Sequence, residues 1–228
     1  MDNFLQRVYV GEIKTQCQFA LNAVGNLNHA LQQLNSEAQM EAAQRSFFHA
    51  EVFRQIHSFL THASNVSRLF WPPVPKRKQN ETELQHHARL ASLDKVQRAI
   101  SLRQLYRIED TNVLKNRTLR DHLEHYDERL DDWRKTSVNR NIASDTIGPS
   151  NSIVGLAATD MMRWFDPTTK HFRFRGEEYS LQELATAVDL LLPESIRLEE
   201  ELWNRQIRQA QQVVYGLPPQ RQKKLTDS

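Results

Sequence analysis

Residues 48–70 read FHAEVFRQIHSFLTHASNVSRLF, and Phe48, Val52, Ile56, Phe59, Ala63, Val66 and Phe70 recur there every three or four places. That period is the turn of an α-helix, so these side chains share one stripe that must bury against other elements. Pro72 and Pro73 end the helix near Trp71, because proline lacks the amide donor that a further turn requires. Ser36 followed by Gln39 has capping-box spacing and marks where this second helix starts.

The same period extends outward in both directions. Ala20, Val24, Leu27, Leu31 and Leu34 predict a first helix from about Asn3 to Leu34. Downstream, Thr82 with Gln85 repeats the capping box, and Leu90, Leu93, Val96 and Ile100 predict a third helix to about Ile108. Asp110, Thr111 and Asn112 offer caps for a fourth, over roughly Val113 to Trp133, with Leu119, Leu123, Tyr126, Leu130 and Trp133 facing inward. Between the second and third helices the prolines and the run Lys76, Arg77, Lys78 make a basic, solvated connection over 72–81.

Residues 134–152 have no period and many turn formers, which predicts a loop. The pattern then changes to alternation. Arg163-Trp164-Phe165, the turn-forming Asp166-Pro167-Thr168-Thr169 and the run His171 to Arg175 predict a small β-hairpin closing at Gly176. Ser180 with Glu183 caps a last helical region carrying Leu184, Val188 and Leu191, which Pro193 should kink or restart before Ile196 and Leu202. The expectation is a mainly α chain forming one unit over 1–228. Core helices occupy about 3–133, the hairpin and last helix about 160–214, and a disordered tail 217–228.

Composition agrees with helices: glycine is scarce at 6 and proline at 8. Lys plus Arg is 30 against 28 for Asp plus Glu, so the net charge of +2 argues for no partner by itself, and any anion-binding surface must be a local patch. The single cysteine, Cys17, rules out an internal disulfide and a multi-cysteine zinc site, and fits a reducing compartment. No apolar run approaches the roughly 20 residues that span a bilayer, and the first residues lack the form of a signal peptide. Cytoplasmic residence without membrane contact is the expectation.

Chemistry concentrates in residues 116–133, NRTLRDHLEHYDERLDDW, where Arg120 and His125 stand five apart with Asp121 between them. In one continuous helix these two lie about 140° apart around the axis, astride Glu124 and opposite the apolar stripe. Arg117, Arg120, Asp121, Glu124, His125 and Glu128 then share an exposed face. Such a face is either a solvated, salt-bridged surface or one used by a partner.

Arg120, Asp121 and His125 match in register the short motif of the HEPN (higher eukaryotes and prokaryotes nucleotide-binding) family: Arg, then Asn, His or Asp, then any three residues and His. Tyr126 to Leu130 and the helix ending Arg68-Leu69-Phe70-Trp71-Pro72 resemble a bacterial branch of that family, and the resemblance in helix order covers about residues 3–133. It implies an antiparallel helical bundle and a metal-independent endoribonuclease, without cofactor, whose site forms where two protomers meet. His125 would take the proton of a ribose 2′-hydroxyl and Arg120 would hold the phosphate. Asp121 would orient one of these side chains, with Glu124 as a further supporting residue. A role in defence or as a toxin would add a neutralising, antitoxin-like partner to the homodimer and the RNA. The other reading is a non-catalytic RNA- or protein-binding helical module.

A second match, Arg117 with His122, overlaps the first. His122 lies beside the apolar stripe, where a half-buried, hydrogen-bonded histidine is the commoner outcome, so Arg120 and His125 are the preferred pair. Lys76, Arg77 and Lys78, with Arg117, are the expected RNA contacts, and His86 and His87 adjoin that loop. His49, His57 and His62 flank the apolar stripe of the second helix and read as packing rather than metal ligands. Phe172 and Phe174 offer rings for base stacking, although packing on the bundle is their simpler use.

Overall fold

The computed structural model describes residues 1–36, 40–149 and 151–215. The first two helices are long: α1 covers Asn3–Ser36 and α2 Ala42–Phe70. They run antiparallel, since Gln16 of α1 meets His62 of α2 while His29 meets Phe48. The stripe of α2 is buried as its spacing requires, with Val52, Ile56, Phe59, Ala63, Val66 and Phe70 in the main apolar cluster and Phe48 packed at its edge. Each such large side chain withdrawn from water contributes about 1.5–3 kcal/mol. Ser36, expected to cap the second helix, is instead the last residue of α1, and Glu41 is the N-cap of α2; Gln39 lies outside the described residues, as does the tail 217–228.

The predicted third helix is two. α3 covers Glu83–Ala91 with the full Thr82/Gln85 capping box, and α4 covers Asp94–Tyr106. The chain turns at Ser92 and Leu93, where Leu93 has an extended ψ of 126°. The core-facing residues are therefore Ala99, Leu102 and Tyr106 of α4 instead of the expected Leu90, Leu93, Val96 and Ile100, which are half-buried.

The predicted fourth helix is also divided. A 3-10 turn spans Val113–Lys115, α5 covers Thr118–Glu124 and α6 covers Tyr126–Thr136, with His125 between them at φ −103° and ψ 40°. Leu119 is buried, and Leu123, Tyr126, Leu130 and Trp133 pack at the edge of the main cluster.

The hairpin is present and belongs to a four-stranded sheet in sequential order: β1 Thr146–Ile147, β2 Trp164–Asp166, β3 His171–Phe174 and β4 Glu177–Ser180. Asp166 Oδ1 accepts from the backbone of Thr168 at 2.9 Å, the Asx turn that its position before Pro167 implied. Gly176, expected to close the hairpin, opens a second one. Arg175 and Gly176 have φ of 50° and 86° and form the tight turn from β3 into β4. Part of the predicted loop 134–152 is strand β1, which pairs in parallel with β2.

α7 covers Leu181–Tyr215, and Ser180 Oγ caps it by accepting from Glu183 N at 3.2 Å. It is assigned as one helix through Pro193, without the restart the sequence suggested. α7 packs along α1, where Lys14 pairs with Glu199 and Arg7 lies 4.5 Å over the Trp203 ring. Cys17 is fully buried in the main cluster, and burial pushes its thiol up to about 12. The chain is mainly α, with a small sheet before the final helix. Among the described residues no helix is long and apolar enough to cross a membrane.

The C-terminal end of α2 fixes what surrounds it. A helix leaves its last carbonyls without intrahelical partners, and cations are favoured there by the helix dipole. Pro72 and Pro73 carry no amide hydrogen that could serve them. Instead Arg98 donates to Arg68 O at 3.5 Å, Arg103 to Phe70 O, Arg117 to Trp71 O at 3.1 Å and Lys95 to Pro73 O at 2.5 Å.

Candidate functional site

α5 rests against α2 and carries the motif. Its start is organised by Asn116, whose Oδ1 accepts from Thr118 N at 2.9 Å, and its end by His125 N, which donates to Asp121 O at 3.1 Å. The structure places Arg120 inward, not on the exposed face that one continuous helix would give it. Its residue exposure is 8%. Two carboxylates permit that burial: Arg120 Nη1 donates to Asp121 Oδ1 at 3.2 Å, and Nη2 pairs with Glu124 Oε1. Arg120 Nε is buried with no partner among the described residues.

His125 has a different environment. Its imidazole is 56% exposed, and Nδ1 lies 3.6 Å from Glu128 Oε1. No hydrogen bond or ion pair among the described residues joins it to Arg120. Arg120 faces inward with its donors spent on Asp121 and Glu124, while His125 stands exposed at the break between α5 and α6. Asp121 is exposed, and Glu124 and Asp121 spend their nearest contacts on Arg120.

Arg120 lines a cleft of about 680 Å³, measured to its open mouth, between α2, α5, β4 and the start of α7. Leu60, Leu119 and Leu184 make its apolar walls, Arg117 and Tyr179 add polar groups, and the buried Ser64 Oγ has no partner among the described residues. Arg117 is half-buried, and desolvation lowers its pKa. His125 does not line this cleft. A second cleft, of about 940 Å³, lies on the other side of α5, between Leu123 and Tyr126, His49, Phe53 and His57 of α2, and Arg163. Arg163 stands 4.5 Å over the Tyr126 ring and pairs with Asp145 at 2.7 Å.

His122 is packed. Its ring stacks on Phe174 with centroids 5.1 Å apart and planes 11° from parallel, and Arg129 Nε donates to its Nδ1 at 3.1 Å. Nδ1 therefore accepts, and the proton of a neutral imidazole sits on Nε2, 3.6 Å from Glu177 Oε2. Phe172 and Phe174 are both buried, so their rings serve the core and are closed to stacking ligands. His62 is held by Gln16 Oε1 at 2.8 Å, and burial lowers its pKa.

Lys76, Arg77 and Lys78 are exposed, as expected, but the connection they sit on is tethered. Glu81 accepts from Lys78 N at 3.1 Å and from Arg89 through both oxygens, at 2.7 and 2.8 Å. The Arg89 guanidinium, aided by the Lys78 amide, brings the Glu81 carboxyl down to about 2. His86 Nδ1 lies 3.3 Å from the same carboxylate. Among the described residues no three His, Cys, Asp or Glu side chains gather as metal ligands.

Sequence reasoning missed Lys95, Arg98 and Arg103, which α4 brings to the end of α2 beside Arg117. Their common destination is tertiary; the one local signal was three cations on a helix whose other residues supply the core contacts. Comparison of the chain with protein-family models, curated proteins and solved structures found no match.

Proposed function

We propose that this chain is a HEPN-type, metal-independent endoribonuclease whose working site is formed by two copies in the cytoplasm. The observation that supports this reading is His125, exposed at the junction of α5 and α6 within the Arg120-Asp121-x3-His125 motif. Its imidazole takes the proton of a ribose 2′-hydroxyl, and the 2′-oxygen attacks the adjoining phosphorus. The P–O5′ bond breaks, leaving a cyclic phosphate and a 5′-oxygen that takes up a proton. An arginine fork stabilises the charge that develops on the phosphate. Within one copy Arg120 is engaged by Asp121 and Glu124, so a second copy must either supply the arginine or draw those carboxylates away. A neutralising protein, if the activity is toxic, would act by covering His125.

The same engagement of Arg120 favours a second reading, a non-catalytic RNA- or protein-binding module in which the motif only shapes α5. Cleavage of unstructured RNA in EDTA, with light scattering on the same samples, separates the two. The nuclease reading expects twice the 26.7 kDa chain mass and a loss of about 10²–10⁴-fold in rate for His125→Ala. Equal rates for His125→Ala and the parent would remove His125 as the base. A monomer that cleaves no RNA would leave the module.

A further inference from the structure

The groups that close the end of α2 are cations held by neutral oxygens, and that has an electrostatic consequence. A guanidinium or ammonium that donates to a carbonyl is positioned without losing its charge, whereas one paired with a carboxylate is neutralised. Lys95, Arg98 and Arg117 belong to the first kind: each donates to a carbonyl of residues 68–73, and none has a carboxylate oxygen within 4 Å among the described residues. Arg103 is intermediate, with Asp110 at 3.8 Å.

The exposed neighbours add to this charge. Arg68, on the last turn of α2, and Lys76, Arg77 and Lys78, a few residues beyond it, have no ion-pair partner among the described residues. Of the nearby carboxylates, Glu81 is committed to Arg89, Asp110 to Lys115 and the Trp71 indole, and Asp121 to Arg120, while Asp94 on the first turn of α4 offsets part of the charge. A chain with a net charge of only +2 thus concentrates fixed, unneutralised positive charge at one corner. Such clustering costs some self-repulsion and raises the attraction for a polyanion.

From this we infer that the C-terminal corner of α2 is a binding site for the phosphate backbone of RNA, running from Lys76–Lys78 past Lys95 and Arg98 to Arg117. The identity of the polyanion rests on the proposed function. Arg117 favours RNA over an anionic membrane, because it stands both at this corner and on the rim of the cleft that holds Arg120. A backbone bound here leads toward the motif-bearing segment. The site reads phosphates and carries no sequence preference of its own.

The test measures binding of a 2′-O-methyl RNA of about 20 nucleotides, which cannot undergo 2′-hydroxyl attack, across 50–200 mM salt, by parent and variants. Single-stranded RNA should give a log–log salt slope of about −0.7 per phosphate neutralised. The triple change Lys76→Ala, Arg77→Ala, Lys78→Ala should weaken binding at least about tenfold at low salt and flatten the slope by about 0.7 for each phosphate it leaves without a cation. Lys95→Gln with Arg98→Gln keeps an amide donor for the Pro73 and Arg68 carbonyls while removing charge, and should flatten it again with an unchanged melting temperature. Parent-like slopes in both variants, or no RNA binding by the parent, overturn the site. So does a corner that captures phosphatidylserine vesicles in preference to the RNA. His125→Ala is carried alongside: if it binds as the parent does while neither cleaves natural RNA, the nuclease reading falls and the backbone site stands.

Discussion

His122 and His125, three residues apart, have different surroundings: one lies flat on Phe174 with its Nδ1 occupied by Arg129, the other faces solvent. Truncating His122 removes an aromatic stack, worth about 0.5–1.5 kcal/mol, and leaves the Arg129 donor short of an acceptor. His122→Ala should therefore cost about 1–2 kcal/mol and retain any cleavage activity, whereas His125→Ala should leave the melting temperature unchanged. Thermal melts of both variants check this; an unaffected His122→Ala would show that the stack contributes nothing. Glu177, next to His122, is held below the usual carboxylate range chiefly by the Tyr179 hydroxyl. Its contribution to stability is present above the ordinary glutamate value and fades as pH falls through the lowered one. The packing of His122 was legible from its place beside Leu119 and Leu123. The burial of Arg120 was not, because it depends on α2, β4 and α7 closing around α5 and on the pairing with Asp121 and Glu124, which the period of one helix does not state.

α7 shows how an element can override its own sequence signal. Pro193 stands thirteenth in a helix that starts at Leu181, where it removes one amide donor and crowds the carbonyl of Asp189. Even so the helix continues, anchored on both sides of the proline. Val188 and Leu191 precede it in the main cluster, and Leu198 and Leu202 follow it there. Ser195 donates to Leu191 O at 2.8 Å and accepts from the Tyr106 hydroxyl at 2.9 Å. Pro193 itself is exposed, so an alanine there has nothing to disturb. Pro193→Ala should raise stability by about 1–3 kcal/mol, read as a higher denaturant midpoint at constant slope. A lower midpoint would mean that the packing around Ser195 depends on the proline. The β2–β3 hairpin was legible because Asp166-Pro167 and the alternation after it are local signals. β1 was not, since its two residues pair only because Trp164 and Phe165 are already in place.

At the scale of the molecule, the apolar stripes of α1 and α2 carried most of the architecture, for their period states which faces must meet. The positive corner escaped notice because its members come from α2, the connection after it, α4 and the turn before α5, and only packing brings them together. One buried group gives a way to watch that packing. Cys17 is the only sulfhydryl in the chain, and it sits on α1 inside the cluster shared with α2 and α7. Its burial and raised pKa both suppress the thiolate that alkylating reagents need. A reagent such as iodoacetamide can then modify it only in molecules whose three long helices have come apart. Its consumption in native buffer should be roughly 10³-fold slower than for a free peptide thiol, and should accelerate with denaturant as steeply as global unfolding does. A rate with no denaturant dependence would place α1 in a part of the protein that opens alone. Otherwise the lone sulfur is a stopwatch for the whole fold, readable by mass without any added label.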